Sequence, residues 1–132
     1  METPAYKDPL SYAVIGCAMK VHSKMGPGFQ EVIYQRCLAI ELQKAVVPFT
    51  REQSHKVYYD DIEVGERRAD FVIDNQIVVE IKALVKLEDV NIAQAKNYAV
   101  VYDFHKCLLI NFGGSSLEYK LMFNPKYHPK QV

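Results

Sequence analysis

The sequence lacks the cysteine pattern that marks a zinc site or a disulfide framework. It has three cysteines, no two of them form a C-x-x-C pair, and each lies among apolar neighbours. We therefore expect reduced, buried thiols at Cys17, Cys37 and Cys107. Long apolar runs are also missing. None approaches the roughly 20 residues that a membrane-spanning helix requires, so no membrane partner is predicted.

Net charge is absent as well. The 16 basic and 16 acidic residues balance to zero, which argues against a highly basic nucleic-acid coat protein. A local basic patch on a protein that binds nucleic acid transiently stays compatible with this balance. The first residues, METPAYKDPL, lack a basic segment followed by an apolar one. No secretory signal is therefore predicted, and the expected compartment is the cytoplasm.

The length and composition predict one folded unit. The chain has 132 residues, of which 49% are apolar, enough for a substantial core. No repeat, linker or low-complexity tract interrupts it. We predict a single domain over 1–132, with short tails at about 1–9 and 125–132, where Pro, Lys and Asp are frequent.

Hydrophobic periodicity divides the chain into helices and strands. A first helix is predicted from about Leu10, with Ser11 as its N-cap, and it ends at the GPG segment of residues 26–28. Pro27 and Gly28 suit the two central positions of a type II turn. Gly65 is a predicted bulge or bend. The remaining predicted elements are a helix over about 29–45, strands within 55–61, 62–73 and 76–83, a helix over about 87–101, and strands within 106–112 and 117–123.

The resulting order is α-α-β-β-β-α-β-β. It predicts a mixed central β-sheet flanked by helices, in the α/β or α+β class. The run KCLLINF is typical of a strand buried on both faces, whereas LEYKLMF alternates as an edge strand does.

The segment VVEIKA, residues 78–83, places charges inside an apolar strand. Glu80 and Lys82 lie on one face, because strand side chains alternate with period two. Burying a charge costs several kcal/mol unless it is paired, hydrogen-bonded or bound to a metal. On the preceding strand, the same alternation predicts that Arg68, Asp70 and Val72 share one face, and that Ala69, Phe71 and Ile73 share the other.

A hairpin between these two strands would bring two acids together. Pairing Phe71 with Val79 and Ile73 with Ile77 aligns apolar residues and places Asp70 opposite Glu80. This register requires an odd-length loop, such as a three-residue turn with Asn75 or Gln76 in the left-handed region. Two facing carboxylates repel each other, and one takes up a proton unless a cation joins them. Mg²⁺ is held by such carboxylates together with water and phosphate oxygens.

Three motifs in this order resemble a known family. The spacing D-x9-E-x-K in RADFVIDNQIVVEIKA resembles the PD-(D/E)xK nuclease superfamily. The segment GFQEVIY, from Gly28 to Tyr34, fits the G-x-x-E-x-x-Y motif of the GxxExxY family, a branch of that superfamily. Gln94 and Tyr98 form Q-x-x-x-Y on the helix after the lysine, as in several nuclease branches. The resemblance implies a restriction-endonuclease-like core and a Mg²⁺- or Mn²⁺-dependent nuclease.

The resemblance also assigns roles to residues. It implies that Asp70 and Glu80 bind the metal, that the Ile81 carbonyl completes the inner shell, and that Lys82 is the catalytic lysine. Glu31 would be an additional acid near the metal, with Tyr34 one turn further along its helix. Gln94 and Tyr98 would orient Lys82 or contact the phosphate. The sequence departs from the family at one position, where Ala69 replaces the proline of the family name.

Each motif also has a purely structural interpretation. Asp70, Glu80 and Lys82 would form an ion-pair cluster on a solvated sheet face. Glu31 and Tyr34 would be a solvated acid and a core tyrosine, and Gln94 and Tyr98 an ordinary packing face. Arg67 and Arg68 would contact phosphates or pair with Glu66 and Glu63, and the pairing is the favoured interpretation.

Three functions are therefore compared. The leading one is a nuclease whose partner is nucleic acid, DNA more than RNA, and a homodimer is compatible with it. The second is a catalytically silent module that keeps the fold for binding or assembly. The third is the same metal site acting on a small phosphate ester or a nucleotide.

Overall fold

The computed structural model describes residues 7–129. The elements follow the predicted order: α1 Pro9–Met25, α2 Glu31–Lys44, β1 Phe49–Tyr59, β2 Ile62–Ile73, β3 Ile77–Lys82, α3 Asp89–Val101, β4 Lys106–Asn111 and β5 Glu118–Phe123. No helix within this range is long and apolar enough to cross a bilayer.

The five strands form one mixed sheet in the order β1-β2-β3-β4-β5. Neighbouring strands are antiparallel except β3 and β4, which run parallel and are connected through α3. A parallel connection needs such a crossover. The predicted fold class is therefore confirmed, and β5 lies at an edge of the sheet as expected.

Helices cover both faces of the sheet. Val14 of α1 and Leu38 of α2 pack with Phe71, Val79 and Ile110 on one face. On the other face a second apolar cluster joins helix and sheet; its members include Val72, Val78, Ala95, Ala99 and Leu109. Strand β4 is buried along its whole length between these layers. This explains why its sequence shows no polar alternation.

The first helix begins earlier than predicted. Its N-cap is Asp8, whose carboxylate accepts the backbone N–H of Ser11 at 3.1 Å, and Pro9 occupies the first helical position. Ser11 is buried and donates its hydroxyl to Asp8. Asp8 also forms an ion pair with Lys106 of β4, which explains why the aspartate caps the helix instead of the predicted serine.

Residues of both predicted tails contact the rest of the fold. Pro9 is the first residue of α1, and Asp8 is its N-cap. Near the other end, the ring of Tyr127 stacks on His105 at 4.7 Å, and the His128 amide donates to Asp103. Residues 1–6 and 130–132 lie outside the described range.

Strand β1 is longer than predicted, because its first half is polar and exposed on both faces. It forms a hairpin with β2 through Asp60 and Asp61, both with positive φ. The register shifts between Val57 and Tyr58, which pair with Gly65 and Glu63 respectively, so the predicted irregularity near Gly65 is confirmed.

The hairpin of β2 and β3 has the predicted register. Phe71 pairs with Val79, and Ile73 pairs with Ile77. The three-residue loop between them places Asp74 and Asn75 in the left-handed region. Of the two alternatives for a left-handed residue, Asn75 is the one observed, and Asp74 adopts the same conformation without having been predicted.

Candidate active site

Two carboxylates meet where β2 and β3 leave their regular pairing. The carboxyl groups of Asp70 and Glu80 lie close enough to form a hydrogen bond when one of them is protonated. Oδ2 of Asp70 also accepts the backbone N–H of Ile81 at 2.7 Å. Asp70 is thus joined to β3 through both a side chain and the backbone, and the juxtaposition expected from the hairpin register is present.

The strand alternation predicted around Asp70 is wrong. Ala69 packs with Val72 in the cluster under α3, whereas Phe71 belongs to the opposite face. The side-chain pattern therefore breaks at Asp70. Opposite it on β1, Glu52 has a φ of 52° and the regular pairing is interrupted. With the ladder open at this point, the Asp70 carboxylate reaches between the strands instead of lying on one face.

Burial governs the charge of the acid pair. It raises the pKa of Glu80 to about 8, and the negative charge of Asp70 adds to this effect. Burial also raises the pKa of Asp70, while hydrogen bonds from Ile81 and other donors oppose the shift. Without a cation, the pair therefore holds a proton at neutral pH, as expected for two facing carboxylates.

Lys82 and Glu31 lie within electrostatic reach of this pair. The ammonium group of Lys82 opposes the rise in the pKa of Asp70 and of Glu80. Glu31 is the first residue of α2. Its pKa is raised by burial and by the charge of Asp70, and lowered by Lys82. Three acids and one lysine thus come from α2, β2 and β3 to the same end of the sheet.

A cavity of about 340 Å³ opens beside the acid pair. Its walls are Arg67, Arg68, Glu80 and Lys82 from the sheet and Asn91, Gln94, Ala95 and Tyr98 from α3. Three of these side chains are cationic and one is acidic, so the cavity is suited to an anionic ligand. The exposed side chain of Gln94 lies on its wall, on the same helix face as Tyr98.

The hydroxyl of Tyr98 has a partner that was not predicted. Its hydroxyl hydrogen-bonds to Nδ1 of His55 at 2.5 Å, and its side chain is only 2% exposed. The ring packs with those of His55, Tyr102 and Phe104. Burial and the nearby charge of Glu80 raise the pKa of its hydroxyl. The structure thus directs this hydroxyl to His55 rather than to Lys82.

The two arginines of the cavity differ in their surroundings. Arg67 donates to Oδ1 of Asn97 at 2.7 Å and lies over the ring of Tyr98 at 4.8 Å, so contacts within the protein fix it. Arg68 lies 4.0 Å from Glu66, and its side chain is largely exposed. The predicted pairing with Glu66 is present at this long distance, which leaves the Arg68 guanidinium accessible from the cavity.

Structural roles account for the first and last residues of G-x-x-E-x-x-Y. Gly28 has a φ of 111°, which favours glycine. Tyr34 is fully buried, donates to the Gly26 carbonyl at 2.5 Å and accepts the Phe29 amide at 3.2 Å. Its ring stacks on Phe112 at 4.8 Å. Tyr34 therefore fixes the turn before α2, and Glu31 is the motif residue that faces the acid pair.

Sequence reasoning missed two residues at the site. Gln35 of α2 is 5% exposed and donates Nε2–H to Oδ1 of Asp70 at 3.1 Å. Arg51 of β1 donates to Oε1 of Gln35 at 3.0 Å. One signal was available: Gln35 is a polar residue on the buried face that Leu38 and Leu42 define.

The sequence profile of the PD-(D/E)XK nuclease superfamily matches residues 8–122. The chain belongs to this superfamily. The match extends from the cap of α1 into β5 and includes Asp70, Glu80 and Lys82. No curated protein and no solved structure matches the chain.

PD-(D/E)XK nucleases typically use divalent metal ions, which require oxygen donors at the site. Within residues 7–129, no three side chains of His, Cys, Asp or Glu converge as a protein-built metal cluster. Mg²⁺ needs only one or two carboxylates and completes its shell with water. The N–H and C=O of one strand residue point to the same neighbour, so the Ile81 carbonyl faces the strand of Asp70. Two carboxylates and this carbonyl form a hard-oxygen donor set that fits such an ion.

Proposed function

We propose that the chain is a divalent-metal-dependent nuclease that hydrolyses phosphodiester bonds of nucleic acid, in the GxxExxY branch of the superfamily. One observation carries the proposal: the Asp70 carboxylate accepts the Ile81 amide at 2.7 Å, between Glu80 and Lys82, which line one cavity within the segment that matches the superfamily. Burying two carboxyl groups beside each other costs free energy, because without a cation only one of them carries its charge. A divalent cation that replaces the proton would allow both carboxyl groups to ionise and would offset this cost.

The proposed ligands are Asp70, Glu80 and the Ile81 carbonyl, with Glu31 as a further acid beside them. Bound Mg²⁺ or Mn²⁺ would polarise the scissile phosphate and lower the pKa of the attacking water. Glu80 must release its proton before this binding takes place, because the carboxylate and not the acid is the ligand. The hydrogen bonds that Asp70 accepts favour its charged form and oppose the rise in pKa that burial causes.

The cationic side chains of the cavity would bind the substrate. Lys82 lies next to the acid pair, and its ammonium group would neutralise charge that develops on the phosphate. Arg68 would contact a neighbouring phosphate, since its guanidinium is largely exposed. Gln94 would orient Lys82 or donate to a phosphate oxygen. Tyr98 would shape the wall through its ring, since its hydroxyl is engaged by His55.

A cleavage assay tests the proposal. Supercoiled plasmid, single-stranded DNA and RNA are incubated with Mg²⁺, Mn²⁺ or EDTA, and DNA is the substrate that we expect to be cut. Lys82→Ala should abolish cleavage. Lys20→Ala is the matched control, because Lys20 is an exposed lysine on α1. Cleavage in EDTA, or unchanged cleavage by Lys82→Ala, would contradict the proposed mechanism.

Thermal unfolding separates the remaining functions. Mn²⁺ should raise the melting temperature of the wild type, because a ligand that binds only the folded state stabilises it. It should not change the melting temperature of Asp70→Asn, which lacks one of the proposed ligands. Metal stabilisation without cleavage of any nucleic acid would favour a small phosphate ester or a nucleotide as substrate. No cleavage and no metal effect would favour the silent binding module.

The assembly is part of the proposal as well. Enzymes of this superfamily that cut both strands often act as pairs, and β5 offers its edge for such pairing. A sedimentation experiment with and without duplex DNA would show whether two copies assemble. A monomer under both conditions would exclude the homodimer.

A further inference from the structure

We propose that Gln35 is a positioning residue for Asp70, and that Arg51 sets the orientation of the Gln35 amide. The three side chains form a line from the sheet edge to the acid pair. Arg51 donates to Oε1 of Gln35 at 3.0 Å, and Nε2 of Gln35 donates to Oδ1 of Asp70 at 3.1 Å. The inference rests on the proposed function, because it concerns how Asp70 is presented to a cation.

The chemistry of the three groups fixes the direction of the line. A guanidinium has only donors, a carboxylate has only acceptors, and an amide has one side of each kind. Arg51 therefore selects the orientation in which Oε1 faces it and the NH₂ group faces Asp70. With the amide turned the other way, its oxygen would face the Asp70 carboxylate and its NH₂ group would face Arg51. Both contacts would then be repulsive.

The orientation of the Gln35 amide affects its hydrogen bonds strongly because the residue is buried. Gln35 is 5% exposed, so water cannot readily replace a lost partner of its amide. Asp70 accepts Gln35 on Oδ1 and the Ile81 amide on Oδ2. Each oxygen keeps one lone-pair direction for another partner, since a carboxylate has about four such sites. The two donors thus fix the plane of the carboxylate and leave part of each oxygen for Glu80 and a cation.

The interruption of the sheet explains why Asp70 needs these donors. Its strand pairing is open, because Glu52 on β1 has a left-handed backbone and β2 pairs with β3 only from Phe71 onward. A residue outside the ladder is not held by backbone hydrogen bonds, so side-chain donors must position it. Arg51 is the neighbour of Glu52 and pairs with Phe71 in the regular part of the sheet. The interruption at Glu52 therefore takes Asp70 out of the β1–β2 ladder. It lies next to Arg51, which orients the Gln35 amide.

The test measures Mn²⁺ affinity by titration calorimetry and, separately, the melting temperature in EDTA. Gln35→Met keeps the length of the side chain and removes the amide. We expect it to weaken Mn²⁺ binding about tenfold, the lower end of the loss seen when a group that orients a metal ligand is removed. Arg51→Met should cause a smaller loss, and Arg51→Lys should restore affinity because lysine can still donate to Oε1. Gln43→Met, at an exposed position of the same helix, is the matched control.

The outcomes separate this inference from the proposed function. Wild-type affinity in Gln35→Met, with Mn²⁺ still binding to the wild type, would overturn the inference and leave the nuclease proposal intact. A lower melting temperature in EDTA with unchanged affinity would show a merely structural role, and it would also overturn the inference. A wild-type protein that binds no Mn²⁺ would overturn both.

Discussion

The backbone N–H of Ile81 donates to the Asp70 carboxylate at 2.7 Å. If the β2–β3 register continued beyond Phe71, this amide would face the backbone of Ala69. A side chain has thus taken the place of a strand partner. Asp70 is thereby attached to β3 at Ile81, between Glu80 and Lys82. The backbone of β3 therefore determines how far the Asp70 carboxylate lies from these two side chains.

The first prediction concerns pH. The pKa of Glu80 is about 8 in the folded protein against an ordinary value of 4.5. Between these values the folded state binds more protons than the unfolded chain, so stability falls as pH rises, by at most about 1.4 kcal/mol per pH unit. In EDTA, the free energy of unfolding should decrease from pH 5 to pH 8. Urea denaturation at several pH values measures this decrease.

The variant Glu80→Gln should flatten that dependence. The amide of a glutamine cannot lose a proton in this range and still donates to Asp70. The control is Glu63→Gln, because Glu63 is exposed and pairs with Lys56 at the far end of the β1–β2 hairpin. A wild-type protein with equal stability at pH 5 and pH 8 in EDTA would argue against the shared proton.

The second prediction concerns Tyr34. Its hydroxyl has two backbone partners, Gly26 and Phe29, and the residue is fully buried. Tyr34→Phe leaves the ring on Phe112 and should cost about 1–2 kcal/mol of stability, since both partners lose a hydrogen bond. Cleavage below the melting temperature should remain. Tyr12→Phe, at an exposed position of α1, should change neither quantity. Loss of cleavage at unchanged stability would instead give Tyr34 a chemical role.

The third prediction concerns Tyr98. Because its hydroxyl bonds to His55, Tyr98→Phe should lower stability moderately and reduce cleavage far less than Lys82→Ala does. The two rates are compared on the same substrate at the same temperature. Tyr119→Phe, at an exposed position of β5, serves as the control. A loss as large as that of Lys82→Ala would show that the hydroxyl leaves His55 and acts on the substrate.

The regular parts of the fold were predictable from the sequence because local patterns determine them. The apolar positions of Phe71, Ile73, Ile77 and Val79 allow one register that buries them all, and that register is observed. The continuous apolar run of β4 likewise predicted a strand between two layers. In such segments the side-chain pattern and the burial agree, so periodicity is sufficient.

The predictions that were wrong concern features that depend on residues distant in the sequence. The alternation broke at Asp70 because Glu52 interrupts the neighbouring strand, and nothing in RADFVI indicates this. Gln35 and Asp70 are 35 positions apart, so no local spacing connects them. Asp8 and Ser11 are both good capping residues, and the ion pair with Lys106 decides between them. The sequence predicted that Asp70 and Glu80 lie close together, but it did not indicate Gln35 and Arg51, which hold Asp70 from distant segments.

The fourth prediction concerns the turn between β4 and β5, whose backbone touches the segment after Lys82. A Cβ at Gly113 would lie 2.3 Å from the Leu84 carbonyl oxygen and 2.5 Å from the carbonyl carbon of Ala83. Both contacts are with backbone, so the loop would have to move. The same loop is held by Asn111, which is buried, accepts the Leu84 amide at 2.8 Å and donates to its carbonyl at 2.9 Å.

Gly113→Ala should therefore destabilise the protein by about 2 kcal/mol, as overpacking does, and should also lower cleavage, because Ala83 and Leu84 directly follow Lys82. Gly16→Ala is the matched control. A Cβ there meets nothing within 4 Å, and alanine in the middle of α1 should add about 0.5–1 kcal/mol of stability. Chemical denaturation should show a lower free energy of unfolding for Gly113→Ala and a higher one for Gly16→Ala. Equal stability and activity of Gly113→Ala and wild type would mean that the loop moves without disturbing Lys82.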